Sequence, residues 1–336
     1  MKYDWVKYKK YYYWFIVLYI SVIIFKIMMG LHAHNFTSLC SAAQGVTLGK
    51  PHWLAYQNRL LGPYLVEWIA YMSNCSYCAA LHLFNAITIL VEYLILYYVL
   101  LKFSKDSYGL SLNYLIYFSV MLLGIQHHWS YTWDHIDIIV FTIFAYFIFT
   151  KKSIKYLVFL FFLEILNRES ALFIALFLMI DSFHFKLPLR SIKISLQNKT
   201  KLLIGSFLLI IGIIYTKLIR ELLFVESSIK HVGSDLAHQA IGNHFNLFRN
   251  IKTFTMNFVN QNFFISIFIL SIIIFLFSYL NKFNEVQLKA SILFFILLSS
   301  ILAFGSINET RMYAILLPFL LFFHLSLKKK NFLDKE

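Results

Sequence analysis

Four short polar groupings interrupt an otherwise apolar chain: Gln57-Asn58-Arg59, Asp134-His135-Ile136-Asp137, Asn167-Arg168-Glu169 and Asn308-Glu309-Thr310-Arg311. Arg59, Arg168 and Arg311 carry planar, fork-shaped donors that match phosphate oxygens. Asp134 and Asp137, three apart, share one face of any helix that begins near Trp133, as general acid–base work or cation binding requires. Glu169 and Glu309 sit beside arginines. A carboxylate so placed can deprotonate a sugar hydroxyl while guanidinium groups stabilise a departing phosphate or pyrophosphate. A longer polar stretch, 220–262, adds His238 and His244 as candidate substrate contacts, together with His231 and Arg249.

Each grouping also has a structural reading, and taken singly that reading comes first. Arg168 with Glu169, and Glu309 with Arg311, read as ion pairs closing helix turns. Asp134 reads as a helix cap, and the histidines, His32 and His34 included, as loop or interface residues. Trp129 and Trp133 read as interfacial anchors. Glu92, Glu164 and Lys26 lie in or near apolar runs and are expected to pair with neighbours.

The elements that must position these residues are membrane helices. Of 336 residues 60% are hydrophobic and 14% charged, where a soluble domain carries roughly 25% charged residues. Apolar runs near 20 residues recur, long enough to cross about 30 Å of hydrocarbon. Backbone groups in lipid must bond internally, so such runs form helices, and the alternation of a membrane β-barrel is absent. The expected fold is an all-α polytopic bundle, one membrane domain over 1–336.

The net charge of +14 does not point to nucleic acid. Twenty of the 30 Lys and Arg residues fall in six clusters between apolar runs, at 2–10, 102–105, 151–155, 186–201, 282–289 and 328–335. That is the positive-inside pattern. Placing all six in the cytoplasm requires an even number of crossings between them. Spans at 11–30, 79–101, 112–126, 135–150, 202–219, 263–280, 288–306 and 312–327, with a short hairpin over 155–184, give ten crossings and both termini inside. The first run reads as an uncleaved anchor. Outer loops cover 31–78 and 220–262, and the apolar stretch 60–72 is short enough to lie along the surface or dip in. All four polar groupings then fall on the outer face, although none was used to choose the topology. Cys75 and Cys78 form a lone CxxC, read as ordinary small residues before a disulfide and not as a zinc site.

In overall layout, and in the segments Gln57-Asn58-Arg59-Leu60-Leu61-Gly62-Pro63, Asn167-Arg168-Glu169 and Asn308-Glu309-Thr310-Arg311 followed by Pro318, the chain resembles bacterial envelope-glycan membrane enzymes. The related classes are the GT-C glycosyltransferases and the O-antigen polymerases. The resemblance implies a multi-pass protein of the inner membrane. It would transfer sugar from a polyprenyl-phosphate-linked donor to a glycan acceptor on the non-cytoplasmic face, with Glu309, Glu169 or Asp134 as base and Arg59, Arg168 and Arg311 on the lipid phosphate. The chain departs from the GT-C pattern in one respect: residues 31–59 hold no acidic residue, so the base is Glu67 or comes from a later turn. No cofactor is called for, and a divalent metal is not indicated. The rival expectations are a transporter or flippase, with polar residues near the bilayer midplane, and a non-catalytic membrane subunit.

Overall fold

A computed structural model describes residues 2–51, 54–105, 107–125, 131–186, 193–223, 245–257, 263–279, 283–305 and 309–333. Helix α1 (Lys2–His32) runs through a 3-10 turn into α2 (Phe36–Thr47). A second 3-10 turn, Leu54–Asn58, leads to α3 (Leu61–Ser73), and α4 (Tyr77–Phe103), α5 (Tyr108–Ile125) and α6 (Thr132–Phe149) follow. Helices α7 (Ile154–Ile165) and α8 (Leu172–Asp181) form a hairpin, and α9 is Lys199–Leu223. The last elements are α10 (Leu247–Asn257), α11 (Phe263–Tyr279), α12 (Glu285–Phe304), a 3-10 segment Thr310–Leu316 and α13 (Leu317–Leu333).

Helix ends follow local chemistry. Ser76 Oγ accepts from Ala79 N (3.3 Å) at the start of α4, and Asn284 and Gln287 exchange bonds of 2.9 and 2.7 Å at the start of α12, which satisfies N–H groups that have no partner within the helix. Asn74, at φ +49°, ends α3 in the left-handed conformation that asparagine tolerates.

Among the described residues, seven helical segments are long and apolar enough to cross a membrane: Tyr8–Thr47, Tyr77–Phe103, Tyr108–Ile125, Thr132–Phe149, Lys199–Leu223, Glu285–Phe304 and Thr310–Leu327. The chain is a polytopic helical membrane protein. The ten crossings expected from charge reduce to these seven at full length. The hairpin legs α7 and α8 have 12 and 10 residues, about 18 and 15 Å of helix, and the 17 residues of α11 fall just short. A second departure is a two-stranded antiparallel ribbon, β1 (Phe183–Lys186) against β2 (Lys193–Leu196), with Phe183 opposite Leu196. It joins α8 to α9 across the start of the 186–201 charge cluster, where Phe-His-Phe-Lys and Lys-Ile-Ser-Leu alternate with the period of a strand.

Helix α6 lies at the centre, against α4, α7, α12 and α13. Its buried Phe141 and Phe144 meet Phe319 of α13, and Phe144 meets Phe177 of α8 edge-on at 5.7 Å, a favoured geometry for aromatic pairs. Helices α8 and α9 approach closely at Gly205, where a Cβ would come within 2.9 Å of Ala175 O and 3.0 Å of Met179 N. Small residues at such crossings let membrane helices pack without a hydrophobic driving force. Outward faces of α1 and α9 expose Phe15, Val22, Phe207 and Ile214, as a lipid-facing surface does.

The segment 31–78 folds on top of α4. Helix α3 buries Gly62, Pro63 and Val66 and exposes Tyr64, Trp68 and Tyr71; at about 20 Å it is too short to cross. The reading of the cysteines is corrected here. Cys78 is bonded to Cys40 of α2 in a disulfide, and Cys75 is the exposed free thiol. The partner is 38 residues away, so the CxxC spacing gave no hint of it. A disulfide in this segment agrees with its expected non-cytoplasmic side, since thiols stay reduced in the cytosol.

Candidate polar site at the head of the central helix

Three loops and one helix start bring the candidate residues together. The first two turns of α6 supply Asp134 and Asp137. The N-cap is Tyr131, not Asp134 as the sequence suggested; Asp134 sits three residues on and closes the first turn from there, its Oδ2 accepting from Tyr131 N at 2.9 Å. The same oxygen accepts from Arg311 Nη1 at 2.8 Å, while Oδ1 lies 3.7 Å from Arg168 Nη1. Arg168 gives its short bond, 2.6 Å, to Asp137 Oδ2. Asp137 Oδ1 takes 3.0 Å from Asn167 Nδ2, and Ser170 Oγ lies between that oxygen (3.2 Å) and Glu164 Oε1 (2.5 Å).

The expected pairing of sequence neighbours is therefore only partly found. Arg168 binds aspartates of α6, and Arg311 binds Asp134 before Glu309, whose Oε2 is 3.9 Å from Arg311 Nη2. Glu169 instead accepts from Asn58 Nδ2 at 2.9 Å and Arg220 Nη2 at 3.0 Å. The 3-10 turn Leu54–Asn58 is tied to the same place, because Leu60 and Leu61 N–H both bond Leu166 O (3.0 and 2.9 Å) and Gly62 abuts Thr132.

Arg59 enters the network differently. It is 7% exposed, its guanidinium lies 4.9 Å from the Trp133 ring and 5.7 Å from that of Tyr56, and its Nε and Nη1 have no hydrogen-bond partner among the described residues. Burial first, then repulsion from Arg168, pushes its pKa down, with Glu169 opposing. Burial raises the Tyr56 hydroxyl, helped by Tyr131, to which it donates at 2.6 Å. Arg311 stacks 4.5 Å over the Tyr131 ring, and Tyr131 stacks on Trp133 at 4.7 Å. Two guanidiniums thus rest on one aromatic floor. Glu169 is 30% exposed. Burial works against its charge, but Arg59, Asn58 and Arg168 outweigh it and hold the carboxyl below the usual carboxylate range.

The carboxylates divide by availability. Asp137 takes donors on both oxygens, Asp134 takes two on Oδ2, Glu169 is engaged through one oxygen, and Glu309, 46% exposed, has only a distant partner. Glu67 is exposed and takes its bond from Thr47 Oγ1 (3.4 Å), outside this network. His238, His244, His231, Asn308 and the His127–Ser130 turn lie outside the described residues. Tyr56 and Arg220 were not anticipated. Their signals were slight: an aromatic residue beside Gln57-Asn58-Arg59, and a lone arginine closing a long apolar run. Among the described residues no group of three or more His, Cys, Asp or Glu is placed to hold a metal ion.

No protein-family model, curated protein or solved structure matches this chain. The arrangement stands on its own chemistry.

One feature of depth follows from the Glu92–His135 pair (2.7 Å), both residues buried. Glu92 is 15 residues into α4, about 22 Å below its start, yet His135 belongs to the first turn of α6. The arginine–aspartate network is therefore recessed toward the middle of the bundle.

Proposed function

We propose that this chain is a membrane glycosyltransferase or glycan polymerase that takes sugar from a polyprenyl-phosphate-linked donor on the non-cytoplasmic face. The observation that supports this reading is Arg59: a buried guanidinium whose Nε and Nη1 have no hydrogen-bond partner among the described residues, beside Arg168 and Arg311. Leaving such a group unpaired costs roughly 1–3 kcal/mol or more, and a phosphate or pyrophosphate oxygen removes that cost. In this reading Arg59, with Arg311 and Arg168, holds the lipid phosphate. Asp134 and Asp137 fix Arg311 and Arg168, and Glu309 or Glu169 takes the proton from the acceptor hydroxyl. The leaving phosphate is stabilised where its charge develops, which is the interaction that accelerates transfer.

The test is product in cells. Arg59→Ala and Glu309→Gln are expected to reach normal protein levels while surface glycan is lost. Normal glycan from both variants removes the reading.

The recessed position of the network favours a second reading, a transporter or flippase of a phosphate-bearing lipid, since such sites lie near the bilayer midplane. Cysteine introduced at Ser170 separates the two. Labelling by impermeant reagent from one face only fits a transferase; labelling from both faces, in alternation, fits transport.

A further inference from the structure

At the other end of α6 the bundle forms an open cavity of about 370 Å³, within the range of small-molecule sites. Its polar wall holds four lysines, Lys151, Lys152, Lys201 and Lys289, and two carboxylates, Asp181 and Glu285. Both carboxylates are neutralised internally. Asp181 is bound by Lys201 and, at 3.1 Å, by Lys289; Glu285 is bound by Lys289 at 2.9 Å and His184 at 3.0 Å. Lys289 is only 7% exposed, so this part of the wall is a built, desolvated charge cluster.

Lys151 and Lys152 remain without an ion-pair partner among the described residues; Lys152 touches only the ring of Tyr146, at 5.9 Å. Lys151 stands where glycine is the unstrained choice. It ends α6 at φ +52°, with Lys151 N bonded to Ile148 O (3.1 Å) and Lys152 N to Phe147 O (3.0 Å), the turn that usually carries glycine. Lys105 takes the same conformation after α4, so the strain alone assigns nothing. These two cations, unpaired among the described residues at the rim of a cavity already lined by Lys201 and Lys289, carry the argument. Behind them the wall turns apolar, with Phe147, Leu157 and Phe177.

We infer that this cavity binds a phosphate-bearing anion, its phosphate drawn by Lys151 and Lys152 and its remainder resting against Phe147 and Phe177. Lysine binds phosphate as a point charge. The positive clusters assign this end of the bundle to the cytoplasm, where basic pockets between membrane helices take lipid headgroups. The phosphate belongs either to an anionic phospholipid or to a free phosphate compound. The site is about 22 Å along α6 from Asp134, and the inference does not rest on the chemistry proposed there.

The experiment uses the full chain in nanodiscs of phosphatidylcholine, with or without phosphatidylglycerol, and reads binding by the rise in melting temperature. A rise with phosphatidylglycerol but not with inorganic phosphate identifies a lipid headgroup; a rise with inorganic phosphate in pure phosphatidylcholine identifies the free anion. Either source requires that K151G/K152Q weaken binding roughly 30-fold, about 1 kcal/mol for each lysine. Lys151→Gly relieves the turn, so the variant folds at least as well as the wild type. No rise with either probe, or an undiminished rise in the variant, overturns the inference.

Discussion

Arg311 donates Nη1 to Asp134 Oδ2 at 2.8 Å, joining residues 177 positions apart. The bond fixes the 3-10 start of the last helical segment against the first turn of α6. Both side chains are largely buried, 9% and 10% exposed. Removing one partner of such a pair leaves an uncompensated charge. Asp134→Ala is expected to destabilise the protein by about 3–5 kcal/mol, and Arg311→Met comparably. The double variant should lose less than the sum, because neither charge is then stranded. Thermal unfolding in detergent measures this, and strictly additive losses would mean the pair is uncoupled.

Arg59 should behave in the opposite way. Its ring contacts are worth up to about 2 kcal/mol, but its unpartnered N–H groups cost a similar amount. Arg59→Met is therefore expected to cost much less stability than Asp134→Ala, its lost attraction to Glu169 being offset in part by removal of a buried charge, while abolishing product. A loss as large as that of Asp134→Ala would mark Arg59 as structural and would falsify its assignment to the ligand.

Glu169 carries a pH signature. Its carboxyl is held below the usual range by Arg59, Asn58 and Arg168 against the pull of burial. A depressed folded pKa contributes stability above the unfolded value, about 4.3, and that contribution is lost as pH falls through the folded value. At pH 7 Glu169→Gln should be less stable than the wild type, and the gap should close on acidification below about pH 4. A gap that stays constant with pH would assign the effect to lost packing.

Much of this arrangement was legible in the sequence, for reasons that particular residues make clear. Apolar runs bounded by Lys and Arg gave the long helices within a few residues, as at 79–101 for Tyr77–Phe103, because lipid leaves the backbone no alternative. Asp134, Asp137, Arg168 and Arg311 stood out because charges inside such a chain are costly and collect together. Partner choice was not legible. Arg168 adjoins Glu169 but binds Asp137, since an adjacent pair does not face each other while the loop after α7 folds over α6. Depth was hidden too: hydropathy finds the end of α6 but not that it stops beside the middle of α4. The β ribbon rests on two alternations of only four residues each, too short to stand out, and the Cys40–Cys78 bond joins residues 38 apart.

Gly205 tests the crossing that holds the α7–α8 hairpin in place. Its missing side chain lets α9 rest on backbone atoms of Ala175 and Met179, and neither can move without shifting α8. Gly205→Leu is expected to cost about 1–3 kcal/mol by overpacking and to displace the turn carrying Arg168 and Glu169. Activity should fall with stability. A stable but inactive Gly205→Leu would mean the turn moved alone.

Cys75 offers the measurement of orientation with no engineering. It is exposed, while Cys40 and Cys78 are bonded to each other. In intact cells an impermeant maleimide should label one thiol per chain, Cys75; after denaturation the count should be one without reductant and three with it, since Cys40 is buried in the fold. Closing a loop of 38 residues contributes about 4 kcal/mol in the chain-entropy account, so Cys78→Ser should lower the unfolding midpoint markedly while Cys75→Ser leaves it unchanged. Labelling that requires cell lysis would put residues 31–78 in the cytoplasm. It would also move the arginine–aspartate network to the opposite face from the one a polyprenyl-linked donor needs.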